Sequence, residues 1–243
     1  MILGTDKIEI FRCFFDVVMR YRDTIEIFAN KEGVKMGLLN GSHACFYDVF
    51  FDKEFFDVFE VDGAEMICIH ITDLYKILKS GGNKEYLLIS NDENYVTIKF
   101  EKDGNSRVFE LVQAEDFFDS PPLPKIEYPC HFEVDIAPIK QSLKDISLFK
   151  IPSLNVVVDG ESLIIATTES SMTKYSNTIP VVADGIAKSR YSATYLNDMI
   201  YFEKISNQLK IAFGDDMPFH WTSEQEYVEV HGLIAPLLDE GED

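Results

Sequence analysis

The stretch Asp116-Phe117-Phe118-Asp119-Ser120-Pro121-Pro122-Leu123-Pro124-Lys125 divides the sequence. Pro121, Pro122 and Pro124 fix φ and remove backbone donors, so the segment reads as an extended, non-helical linker. It falls close to the middle of 243 residues. On either side the chain runs through the same order: helix, strands, helix, strands. Asp6–Phe51 corresponds to Ala137–Ile179, and Thr72–Val112 to Ser192–Ile234. Identity between the halves is low, so the repeat is one of pattern and not of letters. The expectation is an α+β chain of two repeated domains, 1–115 and 126–243, joined by a 116–125 linker. It is mostly sheet, with helices on one face.

Period-2 alternation marks strands at Thr24–Phe28, Val34–Leu39, Glu65–Ile71, Tyr95–Glu101 and Arg107–Val112 before the linker. After it, the same pattern marks Leu154–Val158, Ser162–Thr167, Gln208–Phe213 and Glu226–Leu233. Lys102-Asp103-Gly104-Asn105 and Asp159-Gly160 read as hairpin turns, because Gly and Asn accept positive φ. Four segments read as amphipathic helices: Asp6–Tyr21, Thr72–Lys79, Ala137–Lys150 and Ser192–Ser206. In the first, Ile8, Phe11, Phe15 and Val18 share one face, the kind of stripe that packs on a sheet.

Lys+Arg number 22 against 42 Asp+Glu, a formal charge of −20. Such a chain repels nucleic acid and anionic membranes overall. That excludes a protein that coats DNA by bulk basicity, and leaves one that meets DNA through a locally basic surface. A hydrophobic content of 46% is that of an ordinary globular chain. No run approaches the ~18 apolar residues of a membrane span, and Met1-Ile2-Leu3-Gly4-Thr5-Asp6-Lys7 lacks the basic start and apolar core of a signal peptide. Cys13, Cys45, Cys68 and Cys130 are scattered in apolar surroundings with no CxxC, so they read as reduced core thiols. A reducing compartment is expected: cytoplasm, or nucleus for a eukaryotic source.

Motifs for catalysis are missing: no GxSxG, P-loop, post-strand GxGxxG or HExxH. His43, His70, His131, His220 and His231 are spread out and supply no ligand set. Asp215-Asp216 beside Gly214 reads as a turn, although a metal-dependent nuclease would use such a pair. The expectation is therefore no catalytic residue, no metal and no cofactor. The charge is uneven. The four helices hold nine Lys+Arg and seven Asp+Glu, a net of +2, and the remainder of the chain carries −22. Lys76/Lys79 and Lys140/Lys144 each share a helix face. These are either solvated faces or faces turned to phosphate.

Six segments occur in an order that carries a resemblance. They are Gly37–Ala44 (GLLNGSHA), Asp73–Lys79 (DLYKILK), Pro121–Lys125 (PPLPK), Lys188–Met199 (KSRYSATYLNDM), Gly214–Pro218 (GDDMP) and Leu233–Pro236 (LIAP). Across its whole length the chain resembles DNA sliding clamps of the proliferating cell nuclear antigen family, and more nearly the archaeal ones. The resemblance implies two repeated clamp domains per subunit and three subunits closing a ring, with sheets outside and helices lining a central hole.

It also implies roles. Basic residues on the inner helices face the DNA backbone, and Arg12, Lys76, Lys79 and Lys144 fall at or near such positions. Arg20, Lys140 and Lys204 join them by helix membership. Loose phosphate contacts carry no base information and suit a ring that slides. Clients of the family insert a short motif beside the linker. The matching pocket positions are Leu39, His43, Ala44, Leu123, Met217, Pro218, Ile234, Ala235 and Pro236. Apolar walls take anchors, and exposed linker backbone can pair with an extended peptide. Subunits of the family join edge to edge, so Arg107–Glu115 would meet Met172–Val181 of the next copy, with Arg107, Phe109, Leu111, Lys174, Tyr175 and Thr178 at the joint.

Three positions depart from the family pattern. Asn40 replaces an acidic front-loop residue, Pro121 stands where an aliphatic linker residue is common, and Pro236 is followed by Leu237-Leu238 and not by a basic residue. Implied partners are duplex DNA, DNA polymerase, a clamp loader, flap endonuclease and DNA ligase, with no membrane. Alternatives are one subunit of a heterotrimeric or checkpoint-type clamp, or an interaction scaffold that never encircles DNA. The acidic tail Asp239–Asp243 reads as disordered.

Overall fold

A computed structural model describes residues 1–82, 84–115 and 121–238. Residues 116–120 of the expected linker and the tail from Asp239 lie outside the described residues. The chain forms two compact units. The first draws on Met1–Gly41, Tyr47–Pro122 and Glu224–Val230, the second on Ser42–Phe46, Leu123–Ser223 and His231–Asp243.

The first unit begins with β1 (Ile2–Thr5), α1 (Ile8–Val18), β2 (Thr24–Asn30), β3 (Gly33–Leu39) and β4 (Cys45–Asp52). It continues with β5 (Val58–Glu60), β6 (Glu65–His70), α2 (Ile71–Ser80), β7 (Tyr86–Asn91), β8 (Tyr95–Lys102) and β9 (Asn105–Val112). One sheet has the order β5-β1-β7-β8-β9, and β6-β2-β3-β4 are neighbours in a second. Helix α1 buries Ile8, Phe11, Phe14, Phe15, Val17 and Val18. Its Phe11 ring lies 5.3 Å from Phe51, which lies 4.8 Å from Phe55, a tilted aromatic core of the favoured geometry. α2 presents Ile71, Leu74 and Leu78 inward.

The second unit repeats the plan with β10 (Cys130–Asp135), α3 (Ile136–Ser147), β11 (Ser153–Val158), β12 (Ser162–Thr167), β13 (Ser176–Pro180) and β14 (Ala187–Ser192). There follow α4 (Ala193–Asp198), β15 (Gln208–Phe213), β16 (Phe219–Gln225) and β17 (Val228–Ile234). One sheet is β13-β12-β11-β14, and β10-β15-β16-β17 are neighbours in the other. Trp221, Tyr191, Phe202 and Phe213 fill the core. Gly232 is obligatory there: a Cβ would stand 2.1 Å from Cε2 of the buried Trp221. The chain is thus α+β with two repeated domains.

The nine strands read from alternation all form, within a residue or two at their ends. Eight others lacked that signal or were too short for it. β4 is one, because Cys45–Val49 are buried on both faces and nothing alternates. β14 alternates by burying Ala187, Ser189 and Tyr191, a pattern that apolar spacing does not show. The fourth helix is also shorter than expected. α4 ends at Asp198 and continues as a 3₁₀ turn over Met199–Lys204. Leu196, Met199, Phe202 and Ile205 are all buried. Their spacing of three matches three residues per turn, which sets them in one line.

Candidate nucleic-acid and partner-docking surfaces

Helix α1 packs on α2 in the first unit. The Tyr75 hydroxyl donates to Asp16 Oδ1 at 2.7 Å, and the Lys79 ammonium lies 5.7 Å from the Tyr75 ring centre. One tyrosine thus holds an acid by its hydroxyl and a base by its face. Arg20, Lys76 and Lys79 are exposed and Arg12 is half-buried. Lys76 pairs with Asp73 at 3.2 Å, but with both side chains well exposed (70% and 61%) the pair is solvent-screened and weak.

In the second unit α3 packs on α4. Lys144 and Lys204 are exposed. Lys140 is half-buried and held by both carboxylate oxygens of Glu203 on the 3₁₀ turn. Its charge is thereby matched locally, a feature that no spacing in the sequence indicates. Of the seven basic positions, then, five are exposed.

A second surface gathers around β14 in the second unit. Tyr191 is fully buried and its hydroxyl donates to the Met217 carbonyl at 2.8 Å. Burial holds that phenol's pKa well above its ordinary value. The Lys188 N–H donates to Asp215 Oδ1 at 2.7 Å, and Asp216 takes φ +53°. The Asp215-Asp216 pair is therefore the structural turn that sets Met217 and Pro218. Ala235 N–H donates to the Ala44 carbonyl at 2.9 Å, and Leu237 N–H to the Arg190 carbonyl at 2.7 Å. These bonds bring Ala44, Met217, Ala235 and their neighbours onto one strand-anchored surface. Ala44, Leu123, Met217, Pro218, Ala235 and Pro236 are half-buried, and His43 is exposed at φ +56°. Leu39, half-buried, closes β3 in the first unit.

Ile234 corrects the reading. It is fully buried, so its side chain belongs to the core. Strand alternation turns Leu233 and Ala235 to the opposite face. Leu233, on that opposite face, is 7% exposed.

Strand edges form a third surface. In β13, Tyr175 C=O accepts from Thr167 N–H at 3.0 Å, and Val181 N–H donates to Glu161 C=O at 3.0 Å. With Ile179 opposite Leu163 and Asn177 opposite Ile165, residues 175, 177, 179 and 181 therefore bond to β12, and Ser176, Thr178 and Pro180 turn their backbone groups outward. Pro180, which has no N–H, sits where β12 asks for none. In β9, Gln113 N–H donates to Asn94 C=O at 2.9 Å. Ser106, Val108, Glu110 and Val112 thus face away from β8. Arg107, Phe109 and Leu111 share the other side-chain face. Arg107 is turned into its own unit, donating to Glu85 Oε2 at 2.7 Å and lying 5.0 Å from the Phe100 ring centre. Val108 and Val112 are the exposed apolar residues of this edge, at 54% and 64%, and the sequence reading did not single them out. Tyr175 donates its hydroxyl to Asp145 at 3.2 Å, and Lys174 donates to the Thr168 carbonyl at 3.3 Å.

Among the described residues no three His, Cys, Asp or Glu side chains are placed to hold a metal. The four cysteines are buried, and burial raises the Cys130 thiol pKa. No described helix is long and apolar enough to cross a membrane.

The chain matches the model of the proliferating cell nuclear antigen N-terminal domain over residues 5–115. It is 29% identical over 236 residues to the DNA polymerase sliding clamp of Methanothermobacter thermautotrophicus, covering 95% of each chain. It is 24% identical over 241 residues to that of Pyrococcus abyssi, again covering 95% of each. In fold it is similar to a chain of the PCNA2–PCNA3 complex of Sulfolobus tokodaii, with TM-score 0.89, 19% identity and coverage of 97% of this chain and 99% of that one. It is also similar to proliferating cellular nuclear antigen of Entamoeba histolytica, with TM-score 0.88, 14% identity and 98% of both chains covered. The two repeated α+β units already described thus go with a likeness to archaeal DNA polymerase sliding clamps over about 95% of the chain, and to the proliferating cell nuclear antigen N-terminal domain over residues 5–115.

Proposed function

We propose that this chain is a sliding clamp that closes as a homotrimer, encircles duplex DNA and tethers the replicative polymerase as a processivity factor. The observation that carries the reading is the segregation of charge. Helices with exposed Lys and Arg belong to a chain that is otherwise strongly acidic. Lys76, Lys79, Lys144, Arg20 and Lys204 make phosphate contacts that read no base and exchange readily, so they hold the ring loosely. Arg12 adds a less exposed charge, and Lys140 contributes through an ion pair it can trade for phosphate. The acidic remainder disfavours any other placement of DNA.

Ring closure uses the outward backbone groups of β9 on one copy and β13 on the next, ending two exposed edges at once. Clients dock at the β14-anchored surface, with Leu123 as a further contact and the apolar anchors replacing water. A flap endonuclease and a DNA ligase use the same surface in turn, and a clamp loader opens the ring. Tethering raises the polymerase's effective concentration at the primer end without any chemistry by the clamp. The clamp works where the DNA is, in the cytoplasm or, in a eukaryote, the nucleus.

Solution mass by light scattering tests closure, and primer extension on a circular template tests tethering. A mass of three subunits with longer products is the expected result. A single-subunit mass with added partner chains restoring extension would instead make it a heterotrimer member. No stimulation with any partner would leave only an interaction scaffold.

A further inference from the structure

The two units end their first helices in the same turn and fill it differently. In the first unit α1 stops at Val18, and Arg20 N–H donates to Val17 C=O at 3.1 Å and Tyr21 N–H to Val18 C=O at 3.0 Å. In the second α3 stops at Ser147, and Phe149 N–H donates to Ile146 C=O at 3.0 Å and Lys150 N–H to Ser147 C=O at 3.2 Å. Matched bond for bond, Met19 corresponds to Leu148, Arg20 to Phe149 and Tyr21 to Lys150. This tight closure satisfies carbonyls that a helix end otherwise leaves bare. Lys150 completes the turn at φ +52°. The backbone of the tip is therefore tied down, and its side chains are held out.

The second tip is apolar. Leu148 is 76% exposed and Phe149 52%. A single exposed apolar residue is ordinary, but two in succession on a fixed turn make a patch. Exposed lysines bracket it, Lys144 before and Lys150 after. Lys144 lies four residues before Leu148, one helical turn away on the same face. The acid of this turn is already engaged: Gln141 Nε2 and the Tyr175 hydroxyl donate to Asp145 at 2.7 Å and 3.2 Å. Two ammonium groups on a chain of net charge −20 select an anion, and an exposed ring selects a flat apolar face. A nucleotide with an unpaired base joins both, a phosphate to an aromatic face. A paired base does not fit, because its neighbours in the stack cover its faces. The matching turn of the first unit presents the exposed Arg20, whose guanidinium also suits phosphate.

We propose that the tip of α3 is a binding site for single-stranded DNA, in which one unpaired base stacks on Phe149 while Lys144 and Lys150 hold the flanking phosphates. Stacking of this kind tolerates any base, because every base has a π-face. It gives the chain a grip on DNA that duplex contacts do not supply. Unpaired bases begin at a primer–template junction, so the site distinguishes a junction from continuous duplex. That setting rests on the DNA-encircling reading, and the stacking site itself does not.

The test titrates an oligothymidylate of about eight residues, within the usual site size of single-strand binders, into the full chain with labelled phenylalanine rings at low salt. A tetrahydrofuran abasic oligomer of equal length and charge is the control. Ring resonances are followed by NMR, and Phe149→Leu identifies the Phe149 signal. A saturable shift of that signal is expected, with the oligothymidylate binding at least about fivefold tighter than the abasic chain, the low end for one stacked base. Phe149→Ala is expected to reduce oligothymidylate binding to the abasic level, and Phe149→Trp to keep it. Lys144→Glu with Lys150→Glu is expected to weaken both oligomers. Thermal unfolding confirms the fold of each variant. No saturable shift at millimolar oligomer, equal binding of the two oligomers, or wild-type binding by Phe149→Ala overturns the stacking site. Primer extension on a circular template is run in parallel. Extension that is stimulated without a Phe149 shift removes the stacking site alone. A saturable Phe149 shift without any stimulation removes the encircling reading and leaves the site standing.

Discussion

The backbone N–H of Ala235 donates to the carbonyl of Ala44 at 2.9 Å, tying the end of the last strand to the loop that leads into β4. Neither side chain takes part, so the link is invisible to any alanine scan. Ala235→Pro removes the donor and keeps the surface apolar. The expected outcome is a stability loss of about 1 kcal/mol by urea unfolding, with client-peptide affinity reduced at least about tenfold in calorimetry. Unchanged affinity would place the pocket elsewhere. Ile234→Ser would test only the core, since Ile234 is fully buried.

The helix charges make two predictions of opposite sign. Charge reversal of Lys76, Lys79 and Lys144 should cut DNA-stimulated processivity and leave thermal unfolding in place, because all three are exposed. Glu203→Gln should act the other way. It releases Lys140 from its local partner, and the clamp should then show a steeper salt dependence of DNA retention, by about one phosphate contact per subunit. If neither variant changes retention, the helices do not face DNA.

Strand geometry predicts where proline is harmless to the subunit and harmful to the ring. Thr178 turns its backbone outward from β12, as Pro180 does. Thr178→Pro should cost the isolated fold less than about 1 kcal/mol, as edge positions tolerate proline. It should also lower the light-scattering mass from three subunits to one. Asn177→Pro, which removes a donor to β12, should instead destabilise the fold itself. An unchanged mass in Thr178→Pro would exclude this edge as the joint.

Acid sensitivity should arise first in the second unit. His220 has its pKa lowered to about 4 by burial and His231, so the folded state binds this proton more weakly than the unfolded chain. Its share of stability is complete above the ordinary histidine pKa near 6.5 and falls as pH drops from there to about 4. A loss of about 1–2 kcal/mol is expected across that window, allowing for solvent screening of a half-buried ring. His220→Gln should flatten urea-unfolding stability between those pH values. An equal slope in the variant would assign the effect to other groups.

Much was legible from local order. The proline cluster near mid-chain, the helix stripes at 3.6-residue spacing and the strands alternating at period 2 are short-range signals, and they were sufficient for two repeated α+β domains. The motifs around Tyr191, Asp216 and Pro236 also announced themselves. Their mutual support did not, because Tyr191 reaches Met217, and Ala235 reaches Ala44, across many residues of chain.

What tertiary structure alone decided is which atoms face which way. Spacing names Lys140 as a helix-face lysine, but only folding brings Glu203 to it. Composition marks Ile234 as apolar, but only strand register sends it inward and Leu233 to the other face. Sequence places Arg107 and Val108 side by side; the β8 ladder turns the backbone of one inward and the other outward. Local propensity depends on neighbours in the chain, so nine strands, the helix stripes and the repeat could be read from it. Burial, pairing and edge exposure depend on neighbours in space, so these surfaces waited for the fold.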